Sequence, residues 1–120
     1  MSSSEFSNYL CEQLMPIGPV RAKRMFGGYG LFLDDLMFGL IADDVLYLKT
    51  DDQTRPDFEE LGLEPFTYAK KDKVVSLSYS QAPEDAMEDS RLLCEWANQA
   101  YGAALRSASA RSKNYKKKNK

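Results

Sequence analysis

Arg24-Met25-Phe26-Gly27-Gly28-Tyr29-Gly30-Leu31-Phe32-Leu33-Asp34-Asp35-Leu36-Met37-Phe38-Gly39-Leu40-Ile41-Ala42-Asp43-Asp44-Val45-Leu46-Tyr47-Leu48-Lys49 is the stretch that decides the fold. Apolar, aromatic-rich runs are broken by two acidic pairs, Asp34-Asp35 and Asp43-Asp44, and aspartates are good turn formers because their side chains bond to nearby backbone. Strands joined by two or three polar residues cannot be parallel, since a parallel crossover takes a dozen residues or more. The stretch is therefore expected to be an antiparallel meander.

Upstream, Ser2 to Met15 reads as a helix. Ser2 and Glu5 have capping-box spacing, and Phe6, Leu10 and Leu14 recur on one face. Pro16 and Gly18-Pro19 stop it. From Val20 to Phe26, alternation puts Val20, Ala22 and Arg24 on one side and Arg21, Lys23 and Met25 on the other, which fits an edge strand protected by its charges. Gly27-Gly28-Tyr29-Gly30 lacks the spacing, the lysine and the following helix of a phosphate loop, so a bulge or bend is expected there.

Downstream, a short helix is expected from about Gln53 to Leu61, ended by Gly62. Pro65-Phe66-Thr67-Tyr68 and Val74 to Tyr79 read as two further strands around Lys70-Lys71-Asp72-Lys73. In the second, Val75, Leu77 and Tyr79 alternate with Ser76 and Ser78, as in a strand with one buried and one wet face. Residues 80–88 form a connector. Asp89 caps a last helix, Ser90 to about Ser107, with Leu92 or Leu93, Trp96, Ala100 and Ala104 inward and Trp96 as a core anchor. The expected fold class is α+β: an antiparallel sheet of about five or six strands with N-terminal, middle and C-terminal helices packed against it.

Length and composition bound the function. A chain of 120 residues holds one core, and 43% hydrophobic with 12% aromatic residues describes a folded domain. No apolar run reaches the roughly 18 residues of a membrane span, and the first residues do not resemble a signal peptide, so a cytoplasmic location is expected. Histidine is absent, which removes Ser/His and Cys/His nucleophile pairs and the usual zinc-ligand sets. Cys11 and Cys94 are expected as buried thiols. Catalytic residues, cofactors and metals are not expected: Asp34-Asp35, Asp43-Asp44 and Asp51-Asp52 carry oxygen ligands of the kind Mg²⁺ or Ca²⁺ takes, but adjacent aspartates in turns bond to nearby backbone, and adjacent side chains in extended chain point apart.

Charge is unevenly spread. Residues 111–120 hold Arg111, Lys113, Lys116, Lys117, Lys118 and Lys120 and no acid, leaving ten bases against eighteen acids in residues 1–110, a net of −8. A domain over 1–108 and a disordered basic tail over 109–120 are expected. The tail suits weak, salt-dependent nucleic-acid contact, and the acidic body suits a basic surface on a protein partner.

Taken together, Arg24 to Phe32, Met37-Phe38-Gly39-Leu40, Leu46-Tyr47-Leu48-Lys49, Pro65-Phe66-Thr67-Tyr68, Leu77-Ser78-Tyr79, Pro83-Glu84 and Trp96-Ala97 resemble, in order and spacing, the N-terminal domain of the TfoX/Sxy competence regulators. The similarity runs from about Leu14 to Ala108. It implies a bacterial, cytoplasmic α+β domain with no known catalysis, whose full-length relatives regulate natural-transformation genes with the cyclic-AMP receptor protein. The second, C-terminal domain of those relatives has no counterpart in the sequence, so a stand-alone domain is expected. The family pattern is not an active-site pattern. Arg24, Tyr29 and Lys49 are the expected partner contacts, as aromatic and basic groups favoured at interfaces.

Overall fold

A computed structural model describes residues 3–25 and 27–118, with side chains described for 4–25 and 27–111. Along the chain run α1 (Ser3–Gln13), a 3-10 turn (Met15–Ile17), β1 (Arg21–Met25), β2 (Gly28–Leu33), β3 (Leu36–Ala42), β4 (Val45–Lys49), α2 (Arg55–Glu60), β5 (Pro65–Lys70), β6 (Lys73–Gln81), a second 3-10 turn (Glu84–Met87) and α3 (Ser90–Lys118). The six strands form one antiparallel sheet in the order β1-β2-β3-β4-β6-β5. The α+β architecture, the meander and the edge position of β1 are as expected; Ser2, half of the expected capping box, lies outside the described residues.

Both acidic pairs are two-residue hairpin loops. Asp34, Asp35, Asp43 and Asp44 all take positive φ, between 50° and 63°. This is the conformation of a type I′ turn, whose twist matches that of the flanking strands. Without glycine at the second position the loops store some strain.

The glycine stretch bends the chain at its start, as expected: Gly27, in the left-handed region at φ 76°, lies in the turn between β1 and β2. Gly28 and Gly30 instead lie in regular register, and the bulge falls further on, between Leu31 and Phe32 opposite β3. The reason is close approach: a Cβ at Gly28 would sit directly against the Ile41 carbonyl oxygen, and one at Gly30 would come within 2.6 Å of Met25 Sδ and 2.9 Å of Phe32 Cε1. Glycine here makes room on the sheet.

All helices lie on one face. Leu10 of α1 and Leu14 just after it, Leu31 and Leu33 of β2, Phe38 and Ile41 of β3, Leu46 and Leu48 of β4, Phe58 of α2, and Leu93, Ala97, Ala100 and Ala104 of α3 form a single buried core. Each fully buried Leu or Phe contributes roughly 1.5–3 kcal/mol relative to exposure, and the alanines let α3 lie close to β3 and β4. Trp96 anchors the core's edge, its ring 4.9 Å from Phe58 in a T-shaped pair, and Tyr101 packs edge-on against Phe38 at 6.2 Å. Asp89 caps α3, its Oδ1 accepting from the Arg91 and Leu92 amides at 3.1 and 3.3 Å. The Tyr9 hydroxyl donates to the Met87 carbonyl at 2.8 Å, tying α1 to the second 3-10 turn. Both cysteines are free thiols, Cys94 buried and Cys11 half-buried, and burial pushes both thiols up from their ordinary pKa.

Two expectations change. The last helix does not end near Ser107 but continues to Lys118, taking in backbone at 109–118 where no regular structure was expected. After Gly102 the chain has no glycine or proline, lysine and arginine are good helix formers, and cations at a helix C-terminus complement its dipole. Second, Val75, Leu77 and Tyr79 do not point toward the helices. Tyr79 is opposite Lys49 and Ser80 opposite Leu48, so the serine side of β6 faces inward and the apolar side faces out.

Candidate interaction surface

The sheet's second face carries no helix. Alternation from the core residues fixes which side chains it presents: Arg21, Lys23 and Met25 on β1, Phe32 on β2, Met37 and Leu40 on β3, and Val45, Tyr47 and Lys49 on β4. Leu40 lies opposite Gly30 on one side and Tyr47 on the other, and is buried although it stands outside the main core. Met25, Phe32 and Met37 crowd the space over Gly30. This half is a methionine–phenylalanine patch with two bases, Arg21 and Lys23, along its edge.

The other half is a ribbon. β6 pairs with β4 only through Tyr79, Ser80 and Gln81, so most of the β5–β6 hairpin projects beyond the sheet. Its side chains stay exposed, Val74 at 76%, Tyr68 at 39% and Leu77 at 38%. On its outer side are Tyr68, Lys70, Lys73, Val75, Leu77 and Tyr79, joined by Phe66, which stacks with Tyr68 at 6.4 Å and meets Tyr47 of β4 at 5.0 Å. On its inner side are Thr67, Ala69, Val74, Ser76, Ser78 and Ser80. Rings and lysines point to the open side, and, apart from exposed Val74, the groups on the side where α2 lies are small or hydroxyl-bearing.

Charge follows the same division. The six strands hold six bases, Arg21, Lys23, Arg24, Lys49, Lys70 and Lys73, and none of the chain's eighteen acids. Among the described residues, ion pairs join Arg55 to Asp52 and Arg106 to Asp51, and none engages Lys49, Lys70 or Lys73. Lys49 Nζ sits 5.3 Å from the centroid of the Tyr79 ring. Burial, and then the charge of Arg111, lower the Lys49 pKa from its ordinary value, and burial pushes the Tyr79 hydroxyl up to about 12. Lys49 is thus held beside the ring, and the Arg111 charge acts on both groups.

Asp51 anchors the start of α2. Its Oδ1 accepts from the Gln53 amide at 3.1 Å, the Thr54 amide at 3.0 Å and the Thr54 hydroxyl at 3.2 Å, while Arg106 Nε donates to Oδ2 at 2.5 Å. The Arg106 guanidinium, with help from Thr54, holds its carboxyl at about 2. The acidic pairs do not converge: Asp34-Asp35 and Asp43-Asp44 lie at opposite ends of β3, and among the described residues no group of three potential ligands gathers for a metal ion.

The three expected contact residues are also divided. Arg24 and Tyr29 are cross-strand partners, Arg24 exposed on the edge strand and Tyr29 packed against the core, while Lys49 stands on the open face of β4. Of the tail residues, Arg111 is exposed near Lys49 and Tyr79; Lys113, Lys116, Lys117 and Lys118 lie on the helical backbone with side chains not described, and Lys120 is outside the described residues. The open face itself went unanticipated. Its signal was the absence of acids from every strand-like run.

Comparison with known proteins places the chain. The TfoX N-terminal domain model matches residues 12–104. DNA transformation protein TfoX1 of Aliivibrio fischeri is 34% identical over 104 residues, covering 75% of this chain and 50% of that protein. Protein Sxy of Escherichia coli is 28% identical over 101 residues, covering 84% and 48%. An uncharacterized 12.7 kDa protein of Spirochaeta aurantia, from the trpE 5′ region, is 32% identical over 84 residues, covering 68% and 72%. The chain thus spans about half the length of TfoX1 and Sxy. With most of its folded body inside that match, the chain belongs to the TfoX N-terminal domain family.

Proposed function

We propose that this chain is a non-enzymatic interaction domain that acts in the cytoplasm, through protein contacts, in the regulation of competence genes or of transcription. The observation that carries this reading is the cluster of half-buried Met25, Phe32 and Met37 around buried Leu40, on a sheet face that no described helix covers. Methionine and aromatic side chains are enriched at protein interfaces, and a core of such residues with bases at its rim fits a partner surface that is apolar at its centre and acidic at its edge. Family membership supports the regulatory role, and the partner proposed is a transcription regulator, the cyclic-AMP receptor protein first among them.

The test is capture of purified cyclic-AMP receptor protein, and of transcription regulators from bacterial extract, by the full chain with nuclease present and a tag-only control. Retention by the natural chain and its loss in a Met25→Glu/Met37→Glu variant is the expected result. No regulator above the control, or equal capture by the variant, would remove the reading.

A further inference from the structure

We infer that the ribbon half of the open face binds single-stranded nucleic acid, with bases stacked on Tyr47, Phe66 and Tyr68 and phosphates held by Lys49, Lys70 and Lys73. A β-ribbon resting on its own domain normally turns its large apolar groups toward the core. Here the arrangement is inverted: the rings and the cations share the outer side, and serines and small residues face the helices. That inversion places about four aromatic rings on one surface when Tyr79 is included, among lysines that no carboxylate neutralises by an ion pair among the described residues.

Charge and shape select the ligand. In a chain with more acids than bases, a ribbon whose strands bear three lysines and no carboxylate, with Asp72 at its turn and the Asp51 charge acting on Lys49, attracts a polyanion. Rings on an open sheet face give the planar faces of bases something to stack on, and stacking beside a basic track is how single strands are held without sequence preference. A helical peptide would need an aliphatic groove, and the ribbon has none. Arg111, close to Lys49, extends the basic track at the ribbon's base. The strand-borne lysines make this surface distinct from the expected tail contacts.

The test is fluorescence anisotropy with the full chain and a labelled oligothymidylate of about 15 nucleotides, titrated between about 50 and 200 mM salt. Binding should show a log–log salt slope of roughly −2, as neutralising about three phosphates of a single strand gives. Tyr68→Ala should weaken it roughly 5- to 100-fold, and Tyr68→Phe should restore it to within about twofold, because the ring does the stacking. Lys70→Glu/Lys73→Glu should abolish most of the salt dependence, whereas replacing Lys113, Lys116, Lys117, Lys118 and Lys120 by serine should leave affinity within about twofold. Absence of binding, equal binding by Tyr68→Ala, loss of binding in the tail variant alone, or displacement by polyglutamate as readily as by unlabelled oligothymidylate would each overturn the inference. Because this surface and the methionine patch are altered separately, failure here leaves the protein-contact reading standing, and the reverse holds too.

Discussion

The two halves of the sheet are made from similar residues yet stand under different physical conditions. Strands β1 to β4 lie against α1 and α3, with their large apolar groups divided between a sealed core and a half-buried cluster on the face away from the helices. The β5–β6 ribbon has the same alternation but almost no cover, and its alternation is turned the other way. Periodicity reports that a strand has two unlike faces. Which face is sealed depends on where the helices go.

The largest effect that would sharpen this contrast is truncation in the two halves. Phe38→Ala, in the sealed half, should cost about 3–5 kcal/mol in urea unfolding, while Leu77→Ala on the ribbon should change stability by less than about 0.5 kcal/mol. Similar losses at both sites would mean that the ribbon is as well packed as the meander. Next comes the close approach at the start of β2. Gly28→Ala forces a methyl against the backbone oxygen of Ile41 and should cost about 3 kcal/mol, more than Gly30→Ala, whose neighbours are the movable ends of Met25 and Phe32. If the order is reversed, the tight contact belongs to the side chains above Gly30.

A smaller effect concerns the joint between the halves, where Asp51 holds both α2 and α3. A carboxyl held at about 2, below its ordinary 3.8, stabilises the folded chain fully above that ordinary value and loses this contribution as pH falls toward 2. In Arg106→Met the largest cause of the shift is gone, so the Asp51 carboxyl, followed by NMR through an acid titration, should titrate at higher pH than in the natural chain. An unchanged titration would assign the shift to Thr54 instead. The smallest effect is at the turns. Asp35→Gly relieves a left-handed aspartate and should stabilise the protein by about 0.5–1 kcal/mol in the same urea assay. A loss there would mean that the Asp35 side chain holds the turn.

Much of the sealed half was legible from its residues. Asp34-Asp35 and Asp43-Asp44 signalled tight turns because aspartate tolerates the left-handed region, and Leu10, Leu14, Leu93, Ala100 and Ala104 declared their helical faces by spacing. Gly62 marked the end of α2, where it takes φ 70°. The ribbon was less legible. Val75, Leu77 and Tyr79 look like a buried face by composition, and only the pairing of Tyr79 with Lys49 shows them pointing away from the helices. Gly28 and Gly30 were harder to read for a related reason: Gly28 makes room for the backbone of Ile41 on the next strand, and Gly30 for the side chains of Met25 and Phe32 lying over it, approaches that exist only once the sheet has formed. The candidate surface was hidden because it depends on what is missing from a face, and faces exist only after folding.

The strand order also has a consequence for the time course of folding. Adjacent strands in the meander are joined by two-residue turns, so their pairing closes very small loops. β6 reaches β4 only after α2 and β5 have been spanned, with Lys49 and Tyr79 about thirty residues apart. Loop-closure entropy for that pairing must be met before its contacts return anything. The meander and α1 can therefore assemble first, leaving α3 and the ribbon to dock afterwards, the ribbon through three residue pairs, Tyr47–Gln81, Leu48–Ser80 and Lys49–Tyr79. The same short seam sets how readily the ribbon comes away again: its amides are expected to exchange with solvent sooner than those of β2 and β3.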